Sequence, residues 1–377
     1  MRLGLFRYNK PFKLESGESL PELEICYHIS KEFREPGINR KETHKQTGTK
    51  KKVIWITHAL TANSDPSEWW DTLVGEGKFF DPRKYTIVCA NLLGSCYGST
   101  GPASVNPKTG KPYLLSFPKV TVRDEVNFLE LLRKHLGIKK IDLIIGGSVG
   151  GYQAVEWSIM YPDVIKNAAF IATSARVTPW ETAFNESQRM ILEADGTFGN
   201  EEYAQVQTKG KKKFVITGGL KGMGAARTVA LISYRSCKGY NSTQQDLDIN
   251  SLWKHRAISY QRHQGEKLEK RFNAYSYLAM VNLFDSQNVG RGRGGVEKAL
   301  AKIKAKVLCI GIDSDILFPW QEQKFIAEHA GRSSESNNKT IGSGKFVKIK
   351  SDFGHDGFLL EYSQIQKALK NSFKDIF

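Results

Sequence analysis

The stretch "IDLIIGGSVGGYQAVEW", residues 141–157, decides the fold. Ile141, Leu143, Ile144 and Ile145 read as a short buried strand that stops at Gly146 and Gly147. From Tyr152 onward Ala154, Val155, Ser158 and Ile159 recur at helical spacing. A strand-to-helix turn this tight forces its central residue into a strained backbone, and its neighbours must be small to clear the adjoining elements. Gly146, Ser148 and Gly150 supply G-x-S-x-G, the pattern of a nucleophile elbow. A glycine-rich phosphate loop is the competing reading, but no Gly-Lys-Ser/Thr ending follows. An ordinary strand–helix turn rarely needs four glycines.

Working outward, strand candidates fall at 53–57, 85–90, 141–145, 168–172, 307–312 and 346–349, with helical patterns between them. Buried strands alternating with helices predict an α/β fold with a mainly parallel sheet covered on both faces. Before residue 50, "LPELEICYHIS" alternates as antiparallel edge strands do. Residues 177–295 differ: they are polar, carry helical stretches such as "ARTVALISYRS", and have no clear strand period. This segment is expected to be a helical lid inserted into the core, which comprises 1–176 and 296–377.

The 377 residues can bury a large core, and 40% hydrophobic with 25% charged content is that of a soluble globular chain. No apolar run approaches the ~20 residues of a membrane span, and the first twenty residues lack a secretory signal. Five scattered cysteines without a C-x-x-C pair point to reduced thiols and a cytoplasmic location. The net charge of +16 suits an anionic partner. The basic runs at 50–52 and 209–213 read as solvated loops, without zinc-finger spacing or an aromatic RNA-binding signature. Nucleic acid and membrane are therefore not expected as partners.

A serine nucleophile needs a base, and the base needs an orienting acid, in chain order Ser, Asp or Glu, His. "VLCIGIDSDILFPW" offers Asp313 and Asp315 just beyond a strand; spacing favours Asp315, by a narrow margin. "SDFGHDGFLLE" places His355 in a loop near the end, whereas His329 sits in a helical stretch. The oxyanion requires backbone donors. The amide of Val149, after the serine, is one candidate; that of Leu60, in "VIWITHALTANS", is the other. His58 in that loop reads as a brace.

These motifs together resemble the homoserine O-acyltransferase family of the α/β-hydrolase superfamily, its homoserine O-acetyltransferases in particular. The likeness runs from "ESGESLPELEICYHI" through "NLLGSCYGSTGPASVNPKTGKPY", "GGSVGGYQAVEW", "AARTVALISYRS" and "SDILFP" to "GHDGF". It implies Ser148 as nucleophile, Asp315 as orienting acid and His355 as base. It further implies Arg227 on the substrate carboxylate and Asp356 on its amino group. The reaction implied is acetyl transfer from acetyl-coenzyme A, through acyl-serine, to homoserine in methionine synthesis. No metal or resident cofactor is implied, and a homodimer is.

Three positions depart from the family: Val149 for a usual methionine, Leu114 for a common glycine and Asn273 for a frequent aspartate. The alternatives left open are a small-ester hydrolase, a homoserine O-succinyltransferase, a serine O-acyltransferase and a basic binding protein that kept the scaffold.

Overall fold

The computed structural model describes residues 1–34, 51–206, 214–248, 250, 252–331 and 344–377. The basic run at 209–213, and Lys50 of the other run, lie outside these residues; Lys51 pairs with Glu32.

Eight strands form one sheet: β1 (Arg2–Tyr8), β2 (Leu23–Ile29), β3 (Val53–Thr57), β4 (Thr86–Ala90), β5 (Leu143–Gly147), β6 (Asn167–Ile171), β7 (Lys306–Ile312) and β8 (Gly344–Ile349). Their order across the sheet is β1-β2-β4-β3-β5-β6-β7-β8. Strands β3 to β8 pair in parallel, while β2 is antiparallel to both β1 and β4. The chain thus has the fold of an α/β hydrolase, with the expected antiparallel edge.

Period-two alternation explains why the inner strands are apolar throughout. Val53 and Trp55 of β3, Ile144 of β5, Ala168 and Phe170 of β6, and Val307 and Cys309 of β7 enter one core. That core is covered by α1 (Val122–His135), α2 (Val149–Met160) and α8 (Trp320–His329). The alternating residues Ile54, Ile56, Leu143, Ile145, Ala169, Ile171, Leu308 and Ile310 enter the other. There they meet Trp70, Leu73 and Phe80, together with Ile365 and Leu369 of the terminal helix α9 (Tyr362–Ser372).

Between β6 and β7 run α3 (Pro179–Glu193), α4 (Leu220–Tyr234), α5 (Cys237–Thr243), α6 (Arg256–Glu269) and α7 (Ala274–Asp285). A Thr178–Glu181 capping box starts α3, and Asn273 caps α7 through the Ser276 amide at 2.8 Å. Asparagine serves that cap as well as aspartate does. The segment also contains a short hairpin, Ala204–Val206 with Phe214–Ile216. Three-residue strands are too short to leave a period in sequence.

One boundary differs from the sequence expectation at the decisive stretch. β5 spans Leu143–Gly147, and α2 begins at Val149. The glycines therefore belong to the strand: Gly146 pairs with Thr57 and Phe170, and Gly147 with Ile171. Ile141 remains only as an isolated bridge to Ile165.

Candidate active site

Ser148 is the one residue between β5 and α2, with φ +59° and ψ −129°. Its N–H donates to Ile171 O and Ala172 O at 3.1 Å each, and Thr173 Oγ1 donates to its carbonyl at 2.9 Å. These bonds hold a backbone conformation that L-residues rarely adopt. The surrounding glycines are required by contact. A Cβ on Gly146 would lie 2.1 Å from Thr57 Oγ1, and one on Gly150 would lie 2.2 Å from Thr57 O.

The carboxyl ends of the parallel strands deliver the remaining groups to the same edge, where α/β sheets bind ligands. Asp315 follows β7, and its Oδ1 accepts the Leu317 and Phe318 amides at 2.9 Å each. Its Oδ2 lies 2.7 Å from His355 Nδ1, and both side chains are buried. Asp313 is turned to another task, accepting the Ser351 amide at 2.9 Å. The His355 ring is stacked with Phe318 at 5.1 Å and flanked by Phe358 at 5.3 Å and Tyr234 at 5.7 Å. His329 lies on α8, its Nδ1 on Phe325 O at 2.8 Å.

Ser148, His355, Leu60, Arg227, Tyr234 and Asp356 line one cavity of about 550 Å³. Ser148 Oγ has no hydrogen bond to His355 among the described residues; such contacts often tighten only with substrate in place. The amides of Leu60 and Val149 have no protein acceptor among the described residues, as donors reserved for an oxyanion would. His58, fully buried, holds the Leu60 loop. Its Nδ1 is 2.8 Å from Ala59 O, and its Nε2 accepts the Leu92 amide at 3.2 Å. Burial lowers its pKa to about 4, so it stays neutral and braces.

The cavity wall carries charges of both signs. Arg227, on α4, stacks over the Tyr234 ring at 5.1 Å, and no carboxylate of a described residue pairs with it. Seven residues separate the two, so both project from one helix face. Burial raises the Asp356 carboxyl above its ordinary range, an effect opposed by Arg235, His355 and Arg227. Asp356 does not cap the short helix Gly357–Leu360 with its side chain. Lys267 and Arg271 also reach the cavity wall. Arg271 Nη1 donates to Thr61 O and Tyr97 Oη at 2.6 Å each. Tyr234, Arg235, Lys267 and Arg271 were not singled out from sequence. The seven-residue spacing from Arg227 to Tyr234 was the available signal. A larger hollow of about 770 Å³ beside residues 95–107 and 270–273 contains none of the Ser–His–Asp groups. Chemistry, not size, selects the site.

Residues 52–217 match the α/β-hydrolase fold family, a span that includes the Ser148 turn but neither Asp315 nor His355. The homoserine O-acetyltransferase of Cyclobacterium marinum is 41% identical over 97% of this chain and 94% of its own length. The chain belongs to the homoserine O-acetyltransferase family. A solved homoserine O-acetyltransferase from Bacillus anthracis shares the fold with a TM-score of 0.80 at 20% identity, over 99% of this chain and 98% of its own. Esterase E22 does so equally, with a TM-score of 0.80 at 23% identity, over 98% of this chain and 99% of its own. The fold is thus common to transferases and esterases, and 41% identity along nearly the whole chain, helical segment included, places this one among the homoserine O-acetyltransferases. Among the described residues no helix is long and apolar enough to cross a membrane.

Proposed function

We propose that this chain is a homoserine O-acetyltransferase that moves the acetyl group of acetyl-coenzyme A to the hydroxyl of L-homoserine through acyl-Ser148, a step toward methionine. The observation that carries the reading is a guanidinium with no carboxylate partner among the described residues, Arg227, in the same cavity as Ser148 and an Asp315-paired His355. An esterase of small neutral esters has no use for that cation; an amino-acid acceptor does.

Asp315 holds His355 with Nδ1 protonated, leaving Nε2 to take the Ser148 proton as Oγ attacks the thioester carbonyl. The oxyanion is received by the Leu60 and Val149 amides. As the tetrahedral adduct collapses, the thiolate leaves with the proton carried on Nε2, and the acetyl group remains on Oγ. Homoserine then enters with its carboxylate on Arg227 and its ammonium on Asp356. His355 takes the proton of its hydroxyl, that oxygen attacks the acyl-serine, and Ser148 regains a proton on release. Lys267 and Arg271 give the cavity wall positive charge suited to the anionic donor.

Water competes for the acyl-enzyme. Residues 177–295 act as the lid that excludes it and holds the acceptor in attacking geometry, where effective molarity reaches ~10⁵ M or more. The support is that Arg227 and Tyr234, both within this segment, line the cavity with Ser148. The same segment exposes Leu247, Leu252 and Trp253 at 91%, 74% and 82%, an apolar surface suited to a second copy in a homodimer. All five cysteines are free, which accords with a cytoplasmic enzyme.

The test follows labelled acetyl-coenzyme A with and without homoserine. The reading expects acetyl-homoserine as the main product and a serine-bound adduct, by intact mass, when the acceptor is withheld. Label released to water at the same rate in both cases would make the chain an esterase. Succinyl-coenzyme A and serine, run in parallel, identify donor and acceptor.

A further inference from the structure

Among the described residues Asp356 has one charged partner at close range, and it immediately follows the helix that carries Arg227. α4 ends at Tyr234, and the next residue, Arg235, places Nη2 3.2 Å from Asp356 Oδ2. The same Nη2 donates to Tyr260 Oη of α6 at 3.1 Å. The chain around this pair is locked to the histidine loop. Ser236 Oγ donates to Asp352 O, and Lys238 Nζ meets the Asp352 carboxylate at 2.9 Å. At Gly354 a Cβ would sit 2.6 Å from Ser236 N and 2.7 Å from Arg235 C. Among the described residues Asp356 makes no other ion pair and its second oxygen accepts from none, so the carboxylate retains capacity for an ammonium.

We infer that Arg235 is a positioning residue: it holds the Asp356 carboxylate in place, so that α4 fixes the separation between the two charged poles, Arg227 and Asp356, that seat an amino-acid acceptor. This rests on the proposed function, because it presupposes an acceptor with an ammonium and a carboxylate. The charged and titratable groups around Asp356 are Arg235, His355, Arg227 and Asp315, with Tyr234 beside them. Burial raises the carboxyl's pKa, and Arg235 is the foremost of the nearby charges that oppose the rise. Among the described residues the Arg235 side chain has its polar contacts with Asp356 and Tyr260 and none with Ser148 or His355, so its main effect is expected on the second half-reaction.

The experiment compares wild type, Arg235→Met, Arg235→Lys and Tyr260→Phe in the full-length enzyme, with homoserine varied across pH. Arg235→Met is expected to raise KM for homoserine about tenfold or more, the scale for a partly shielded charge contact. It should also move the acid limb of kcat/KM to higher pH, because Asp356 then protonates more readily. Arg235→Lys should recover most of both effects, and Tyr260→Phe should shift KM in the same direction by less. Acyl-serine formation from acetyl-coenzyme A verifies that each variant is folded. If wild type transfers while Arg235→Met keeps the wild-type KM and acid limb, the inference is overturned and the function stands. Should Arg235→Met fail to fold, Arg235→Gln takes its place, and an unaltered KM and acid limb in that variant overturns the inference instead. Wild type that acylates but transfers to no amino acid removes both.

Discussion

Asp315 Oδ2 lies 2.7 Å from His355 Nδ1 in a buried contact, while the other oxygen of the same carboxylate binds two backbone amides. The acid is therefore fixed by the chain before it touches the imidazole, and it dictates which ring nitrogen faces Ser148. Asp315→Asn can keep the amide contacts through Oδ1 yet presents an N–H donor to Nδ1, stabilising the wrong tautomer. We expect folding to persist and acylation to slow by roughly 10³–10⁴-fold, measured as the burst of acyl-enzyme after mixing with acetyl-coenzyme A. A rate close to wild type would mean that the pair does not orient the base.

Ser148 bears strain that its function requires. With φ at +59°, replacement by glycine removes the Cβ that this backbone region disfavours. Ser148→Gly is expected to abolish the acyl adduct while matching or exceeding wild-type stability, by up to about 1 kcal/mol once glycine's unfolded-state entropy is deducted. Ser148→Ala removes the same hydroxyl but keeps the Cβ, and should show no such gain. Urea unfolding of the two variants separates them; a less stable glycine variant would deny that the turn is strained.

Much of this was legible in the sequence because the chemistry is local in chain order. Four glycines around Ser148 announce a turn with no room, and Thr57, Phe358 and Thr173 are what occupy that room. Asp313 and Asp315 lie two residues apart on one loop, so spacing favours Asp315 only narrowly; the choice is made by the direction in which the chain turns at Leu317 and Phe318. Arg235 was hidden because its partner is 121 positions away. Leu114 stands where the family commonly has glycine, and its backbone keeps φ +48°, the glycine-like conformation. Its side chain packs with Ile216 and Tyr275, burial that offsets a strain of about 1–3 kcal/mol.

His58 gives the fold a defined acid sensitivity. Its folded pKa is lowered to about 4, whereas in the unfolded chain it titrates near the ordinary 6.5. As pH falls below that value the unfolded state takes up a proton that the folded state refuses, so stability is lost progressively toward pH 4. Nothing is lost above about 7. The contribution between pH 7 and pH 5 is about 2 kcal/mol. Buried Glu181, its pKa raised to about 8, acts oppositely, since its folded form keeps a proton that the unfolded form releases as pH rises from about 4.5 to 8. The wild-type slope alone is therefore ambiguous. His58→Gln, which can still donate and accept, should lose less stability than wild type between pH 7 and pH 5 in urea titrations. Equal losses would show that burial does not lower the imidazole's pKa in the folded state.

Gly150 ties the serine turn to the oxyanion loop. An alanine Cβ there would meet Thr57 O at 2.2 Å, Thr57 C at 2.9 Å and His58 O at 3.2 Å. All three are backbone atoms, so no rotamer change relieves the overlap, and the chain leading to Leu60 must move. Gly150→Ala is expected to cost roughly 2–4 kcal/mol. It should also depress acylation further than its folded fraction explains, because the Leu60 amide is displaced from the reacting carbonyl. Gly196→Ala is the control, since a Cβ there meets nothing within 4 Å, and it should stay within about 0.5 kcal/mol of wild type. Melting temperature and burst amplitude per folded molecule are the readouts. A Gly150→Ala enzyme that is destabilised yet acylates normally per folded molecule would separate the elbow's packing from its oxyanion geometry, and would move the second donor away from Leu60.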